Sequence, residues 1–130
     1  DDYAHHPTEV AATLAAARKG WPERRIVAIF QPHLYSRTRN FMEEFARALT
    51  AADEVIVAGI YAAREDPIPG VGAEQLAQRV QELAPGLSVR YVAEREAITP
   101  LVREMARPDD LILALGAGDI RRVAEELACG

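Results

Sequence analysis

The chain has 130 residues, 49% of them hydrophobic and 27% charged, with a formal net charge of −5. That is enough chain for one packed core and has the composition of an ordinary soluble globular protein. The acidic balance speaks against a nucleic-acid-binding surface, which needs a basic face.

The elements then read in chain order. Pro7 suits the first position of a helix, and Val10, Leu14 and Ala17 recur at helical spacing, so a helix is predicted over Thr8–Arg18, ended by Gly20 and Pro22. Ile26 to Phe30 is a short, nearly continuous apolar run, the mark of a buried strand. A helix from about Thr38 to Ala52 follows, with Phe41, Phe45, Ala48 and Ala52 on one face, and then a second buried strand from Val55 to Ile60. Leu76, Val80 and Leu83 mark a third helix that stops at Pro85-Gly86, before a strand over Val89–Val92. Ile98, Leu101, Val102 and Met105 form a fourth helical face, in which Pro100 is tolerated only within the first turn. Leu111–Leu115 is the last strand, and Ile120, Val123, Ala124 and Leu127 face inward on the last helix.

Strands that alternate with helices predict an α/β, Rossmann-like fold: a mainly parallel sheet of at least four strands, right-handed crossovers, and helices on both faces. No apolar run is long enough to span a membrane, and the polar opening is not a signal peptide. The single cysteine, Cys129, cannot form an internal disulfide. A cytoplasmic protein without membrane or nucleic-acid partners is the expectation. The motif-dense start at Asp1 reads as a domain cut from a longer protein.

Ligands of open parallel sheets bind beyond the carboxyl ends of the strands. There the first strand runs into Gln31-Pro32-His33-Leu34-Tyr35-Ser36-Arg37-Thr38-Arg39, the second into Tyr61-Ala62-Ala63-Arg64-Glu65-Asp66-Pro67, and the fourth into Gly116-Ala117-Gly118-Asp119. Arg37 and Arg39, next to free amides at a helix start, suit a phosphate or carboxylate; the same pair could instead be solvated and balance Glu43 and Glu44. His33 could exchange protons, touch a ligand, or cap a helix. Asp1, Asp2, His5 and His6 resemble a metal cluster, but adjacent histidines rarely reach one ion, so no protein-held metal is expected. Asp2 could bind ribose hydroxyls or favour a helix dipole. Glu65 and Asp66 are neighbours without the geometry of a proton-sharing dyad, and the third strand's end, Glu94-Arg95-Glu96, is uninformative. Trp21 and Tyr91 read as packing residues. Gly116-Ala117-Gly118 lacks the third glycine of a dinucleotide fingerprint, since Arg121 stands there, and no Walker-type phosphate loop occurs.

Taken together, four segments resemble one known family. Asp1-Asp2-Tyr3-Ala4-His5-His6-Pro7-Thr8-Glu9, Phe30 to Arg39, Tyr61 to Gly70 and Gly116-Ala117-Gly118-Asp119-Ile120 are similar to signatures of the third, C-terminal domain of the Mur ligases, and most of all to the branch that joins L-alanine to UDP-N-acetylmuramate. The resemblance spans nearly all of residues 1–130. It implies a three-domain enzyme of peptidoglycan precursor synthesis, in which the first domain binds the UDP-sugar and the central P-loop domain binds ATP and Mg2+. The third domain helps hold the amino acid and part of ATP. The sugar carboxylate is activated as an acyl phosphate, which the amine of L-alanine attacks. By resemblance, Asp2 contacts the ATP ribose, Tyr3 and His5 lie near the nucleotide and amino-acid pocket, and His33 and Arg37 line the reacting centre. Leu34 stands where relatives carry arginine. The isolated domain is expected to be inactive. The competing readings are the recycling ligase that joins the same sugar to a murein peptide, a stand-alone nucleotide-binding Rossmann-like module, and a non-catalytic interaction domain.

Overall fold

The computed structural model describes residues 6–62, 65–116 and 120–129. Five helices and four strands alternate among them: α1 (Pro7–Gly20), β1 (Ile26–Phe30), α2 (Tyr35–Leu49), β2 (Glu54–Ala58), α3 (Ala73–Leu83), β3 (Ser88–Val92), α4 (Arg95–Met105), β4 (Leu111–Leu115) and α5 (Arg121–Cys129). The strands form one parallel sheet in the order β3-β2-β1-β4. The chain winds outward from β1 through β2 to β3, then crosses back to place β4 on the other side of β1. The reversal of direction falls between β1 and β4.

Successive strand side chains point to opposite faces, and the packing follows that rule. Ile26, Ala28 and Phe30 of β1, with Val55 and Val57 of β2, lie under residues of α1, α2 and α3. Val27 and Ile29, with Ile56 and Ala58, lie under Ile98 and Val102 of α4 and Ile120 and Val123 next to or within α5. Every residue of β1 is therefore buried, which explains why its sequence is uniformly apolar.

Several details depart from the sequence reading, among them β2, which runs over Glu54–Ala58 and not Val55–Ile60. Helix α2 begins at Tyr35, three residues earlier than predicted, and contains a break at Phe41 (φ −122°, ψ 20°), so its buried face runs through Thr38, Phe45, Ala46 and Leu49. Pro100 sits in the second turn of α4, not the first. Both Pro100 and Glu96, whose carbonyl loses its helical donor, are exposed, so water can replace the missing bond. Trp21 and Tyr91, read as packing residues, are 48% and 40% exposed, because Trp21 caps the end of α1 and Tyr91 lies on the outer strand β3.

A charged clamp ties the strands together at their amino ends. The Arg25 guanidinium donates to both oxygens of Asp110 (3.0 and 2.6 Å) and to Glu54 (3.1 Å), bridging the starts of β1, β4 and β2. Asp110 also accepts the Arg107 amide at 2.8 Å. The hydrogen bond from Arg25 holds the Asp110 carboxyl below its usual 3.8, against the opposing effect of burial. A depressed carboxyl stabilises the fold above its ordinary pKa, and that contribution disappears as pH falls through the lowered value. Asp110→Asn should cost about 2 kcal/mol near neutral pH. Urea unfolding should show that gap narrowing as the pH drops below 3.8.

Candidate functional site

The carboxyl ends of β1 and β2 are joined beyond the sheet proper. Tyr61 donates its amide to the Pro32 carbonyl (2.8 Å), and Leu34 donates to the Tyr61 carbonyl (2.9 Å), so that His33 and Tyr61 form an isolated parallel bridge. Their rings stack, with centroids 5.6 Å apart and planes 23° from parallel. One helical turn on, Arg37 places Nη1 3.2 Å from His33 Nδ1. A guanidinium can only donate, so this contact requires an unprotonated Nδ1, with the imidazole proton on Nε2. The two residues singled out from the sequence are therefore in direct contact on one rim. His33 is not a helix cap: that position belongs to Leu34.

The start of α2 is built unusually. Leu34 adopts φ 69°, ψ 138°, a left-side conformation that a leucine enters only when its surroundings hold it there, and its side chain makes no capping bond. Capping is supplied from 29 residues away. Glu65 Oε1 accepts the Ser36 amide at 3.1 Å, and Oε2 accepts the Ser36 hydroxyl. The serine hydroxyl first, and then the Ser36 and Tyr35 amides and the charge of Arg39, hold the Glu65 carboxyl below its usual 4.5 despite partial burial. The helix amides that the sequence offered to an external anion are thus already engaged by an internal one. Arg39 is exposed, and its charge acts on Glu65. Neither arginine balances Glu43, which instead pairs with Arg79 (2.7 Å) and Arg47 (3.2 Å).

At the strand-order reversal, Gln31 links β1 to β4. Its amide donates to Leu115 (3.0 Å), and its buried side-chain oxygen accepts the Ile120 amide at 3.2 Å. Gly116 packs against it with φ +149°, where an added Cβ would stand 2.9 Å from the Gln31 carbonyl oxygen. A cleft of about 490 Å3 opens on this edge, lined by Gln31, Gly59, Tyr61, Glu94 and Arg95 among others. Arg95, which carried no message in the sequence, is 13% exposed here and reaches Glu96 at 3.4 Å.

Asp2, Tyr3 and His5 lie outside the described residues, as do Ala117, Gly118 and Asp119. The first described residue, His6, caps α1 through Nδ1 (3.2 Å to the Thr8 amide) and packs its ring 4.9 Å from that of Phe41. Phe41 is four residues after Arg37 on α2, so the chain reaches the site's helix within one turn of Arg37. Among the described residues no group of three histidine, cysteine or acidic side chains could hold a metal ion, and no helix is long and apolar enough to cross a membrane.

A parallel sheet in the order β3-β2-β1-β4 with helices packed on both faces makes this an α/β domain of Rossmann-like build. The sequence profile of the Mur ligase glutamate ligase domain matches residues 1–118, and the chain belongs to the Mur ligase family. The UDP-N-acetylmuramate–L-alanine ligase of Salinibacter ruber is 50% identical over 125 residues, covering 96% of this chain and 26% of that protein. The crystal structure of a UDP-N-acetylmuramate–alanine ligase from Thermotoga maritima superposes with a TM-score of 0.78 at 27% identity, over 98% of this chain and 25% of that one. A murein peptide ligase from Psychrobacter arcticus shares the fold, with a TM-score of 0.77 at 21% identity over 99% of this chain and 26% of its own. The chain spans about a quarter of the length of the curated relatives it matches.

The Glu65 contact makes a direct prediction. A carboxyl titration followed by NMR should put Glu65 below 4.5, and Ser36→Ala should move it back toward that value. The stabilisation from this contact should be present above pH 4.5 and fade as the pH falls through the lowered pKa.

Proposed function

We propose that residues 1–130 are the C-terminal, amino-acid- and ATP-contacting domain of a cytoplasmic ligase that joins L-alanine to UDP-N-acetylmuramate at the expense of ATP. The observation that carries this reading is the braced pair His33–Arg37 at the sheet's carboxyl edge. The curated relatives at 50–52% identity over nearly the whole chain are muramate–alanine ligases, which supports the alanine branch over the recycling one.

The geometry suggests a division of labour. A guanidinium matches a carboxylate with paired, charge-assisted hydrogen bonds, so Arg37 would hold the carboxylate of L-alanine. His33 fixes the Arg37 side chain from one side, at the edge of the reacting centre. The alanine nitrogen then attacks the acyl carbon of the muramoyl phosphate. The carbon–oxygen bond to phosphate breaks, phosphate leaves, and the nitrogen loses its proton to give the amide.

The Glu65 carboxylate already accepts the Ser36 amide and disfavours a second anion, such as phosphate, at the start of α2. With no Walker-type loop in the sequence either, triphosphate binding and Mg2+ belong to the central domain of the full enzyme, with the UDP-sugar held by the first. This domain would contribute Asp2 to the ribose, and Tyr3 and His5 to the nucleotide and amino-acid pocket.

Two measurements test the reading. Purified chain alone should show no magnesium-dependent ATP hydrolysis; appreciable turnover would contradict its role as one wall of a larger site. In the full ligase, Arg37→Ala should lower kcat/KM for L-alanine by roughly 10- to 100-fold, the loss of one charge-assisted contact. Arg18→Ala should leave it nearly unchanged, because Arg18 pairs with Asp53 below the amino ends of the strands. Equal effects of the two substitutions would remove Arg37 from the site.

A further inference from the structure

The first turn of α2 carries Arg37, and both of its flanks are irregular. The non-helical backbone of Phe41 interrupts α2 within its second turn. At its other end the cap residue, Leu34, gives no side-chain bond and has a positive φ. The turn is held in two ways. Thr38 returns its amide and hydroxyl to the Leu34 carbonyl (3.1 and 2.8 Å), fixing the turn internally. Glu65 fixes it to the neighbouring loop, with one carboxylate oxygen on the Ser36 amide and the other on the Ser36 hydroxyl. The Glu65 amide donates to the carbonyl of Ala62 (2.9 Å), one residue beyond the Tyr61 that stacks on His33. The β1–α2 and β2–α3 loops are therefore fastened at two points, the His33–Tyr61 bridge and the Ser36–Glu65 contact, and Arg37 follows immediately after the second.

We propose that Glu65 is a positioning residue for Arg37 and His33, acting through Ser36 to set the orientation of the first turn of α2. A helical side chain's direction is set by its backbone, so loss of the Glu65 clamp lets the turn rotate and swings Arg37 away from His33 and from the carboxylate it would hold. Glu65 touches no reacting atom in this scheme. The inference rests on the reading of Arg37 as the contact to L-alanine.

The test is steady-state kinetics of the full ligase carrying this domain, with L-alanine and ATP varied separately. Glu65→Gln should raise KM for L-alanine about tenfold, with KM for ATP within about twofold of the parent. Ser36→Ala should act in the same direction more mildly. The double variant should be no worse than Glu65→Gln alone, since both remove one contact. An unchanged KM for L-alanine, additive effects, or a fall in thermal midpoint with both KM values rising together would overturn the positioning role. Should Glu65→Gln not fold, Ser36→Ala alone decides by the same KM split. Arg37→Ala separates the two ideas. If it impairs L-alanine use while Glu65→Gln does not, only the Glu65 inference fails; if Arg37→Ala is also silent, the site reading fails with it.

Discussion

Strand β1 has a hydrogen-bonded neighbour on each side and an apolar layer on each face, so none of Ile26 to Phe30 reaches water. An isolated polar group at any of these positions would carry a large desolvation penalty, and the sequence carries none there. Polar chemistry connected to the central strand is consequently pushed to its two ends. At the amino end Arg25 gathers Asp110 and Glu54 into a clamp; at the carboxyl end Gln31, His33 and the α2 turn form the rim. One end holds the sheet together and the other is open to a ligand, which is the usual division in parallel sheets.

The rim owes its form to two loops rather than one. The sequence marks His33 by its place at a strand end and Arg37, with Arg39, by its place at a helix start, and the family resemblance puts His33 and Arg37 at one centre. It does not reveal that Tyr61 stacks on His33 or that Glu65 caps α2, since both partners lie in a different loop and neither contact leaves a local spacing signal. The same blindness explains the misplaced start of α2. Read locally, Leu34 is a poor cap and Thr38 a better one, but a carboxylate delivered from Glu65 extends the helix back to Tyr35.

The fold was far more legible than the site. Uninterrupted apolar runs announce strands buried on both faces, and β1 and β4 match their predicted limits residue for residue. The boundaries of β2 drift because Ala58 is followed by Gly59, where the backbone passes so close to Ala93 that an added Cβ would lie 2.5 Å from its carbonyl oxygen. Pro100 misled for a different reason. The rule against proline in a helix interior presumes that the orphaned carbonyl is shielded, and the exposed face of α4 removes that condition.

The two apolar layers divided by the sheet have different relations to the rim. Both loops that build it leave toward the α1–α3 side, whereas Ile98, Val102, Ile120 and Val123 fill the opposite layer. That second layer acts as ballast. Ile98, Val102 and Val123 answer to volume and shape more than to chemistry, so compensated aliphatic exchanges there can accumulate as lineages diverge, whereas Ile120 is tied to the rim through Gln31. The layer beneath α2 has no such latitude, because a shift of Phe45 or Phe30 is passed directly to the helix that carries Arg37.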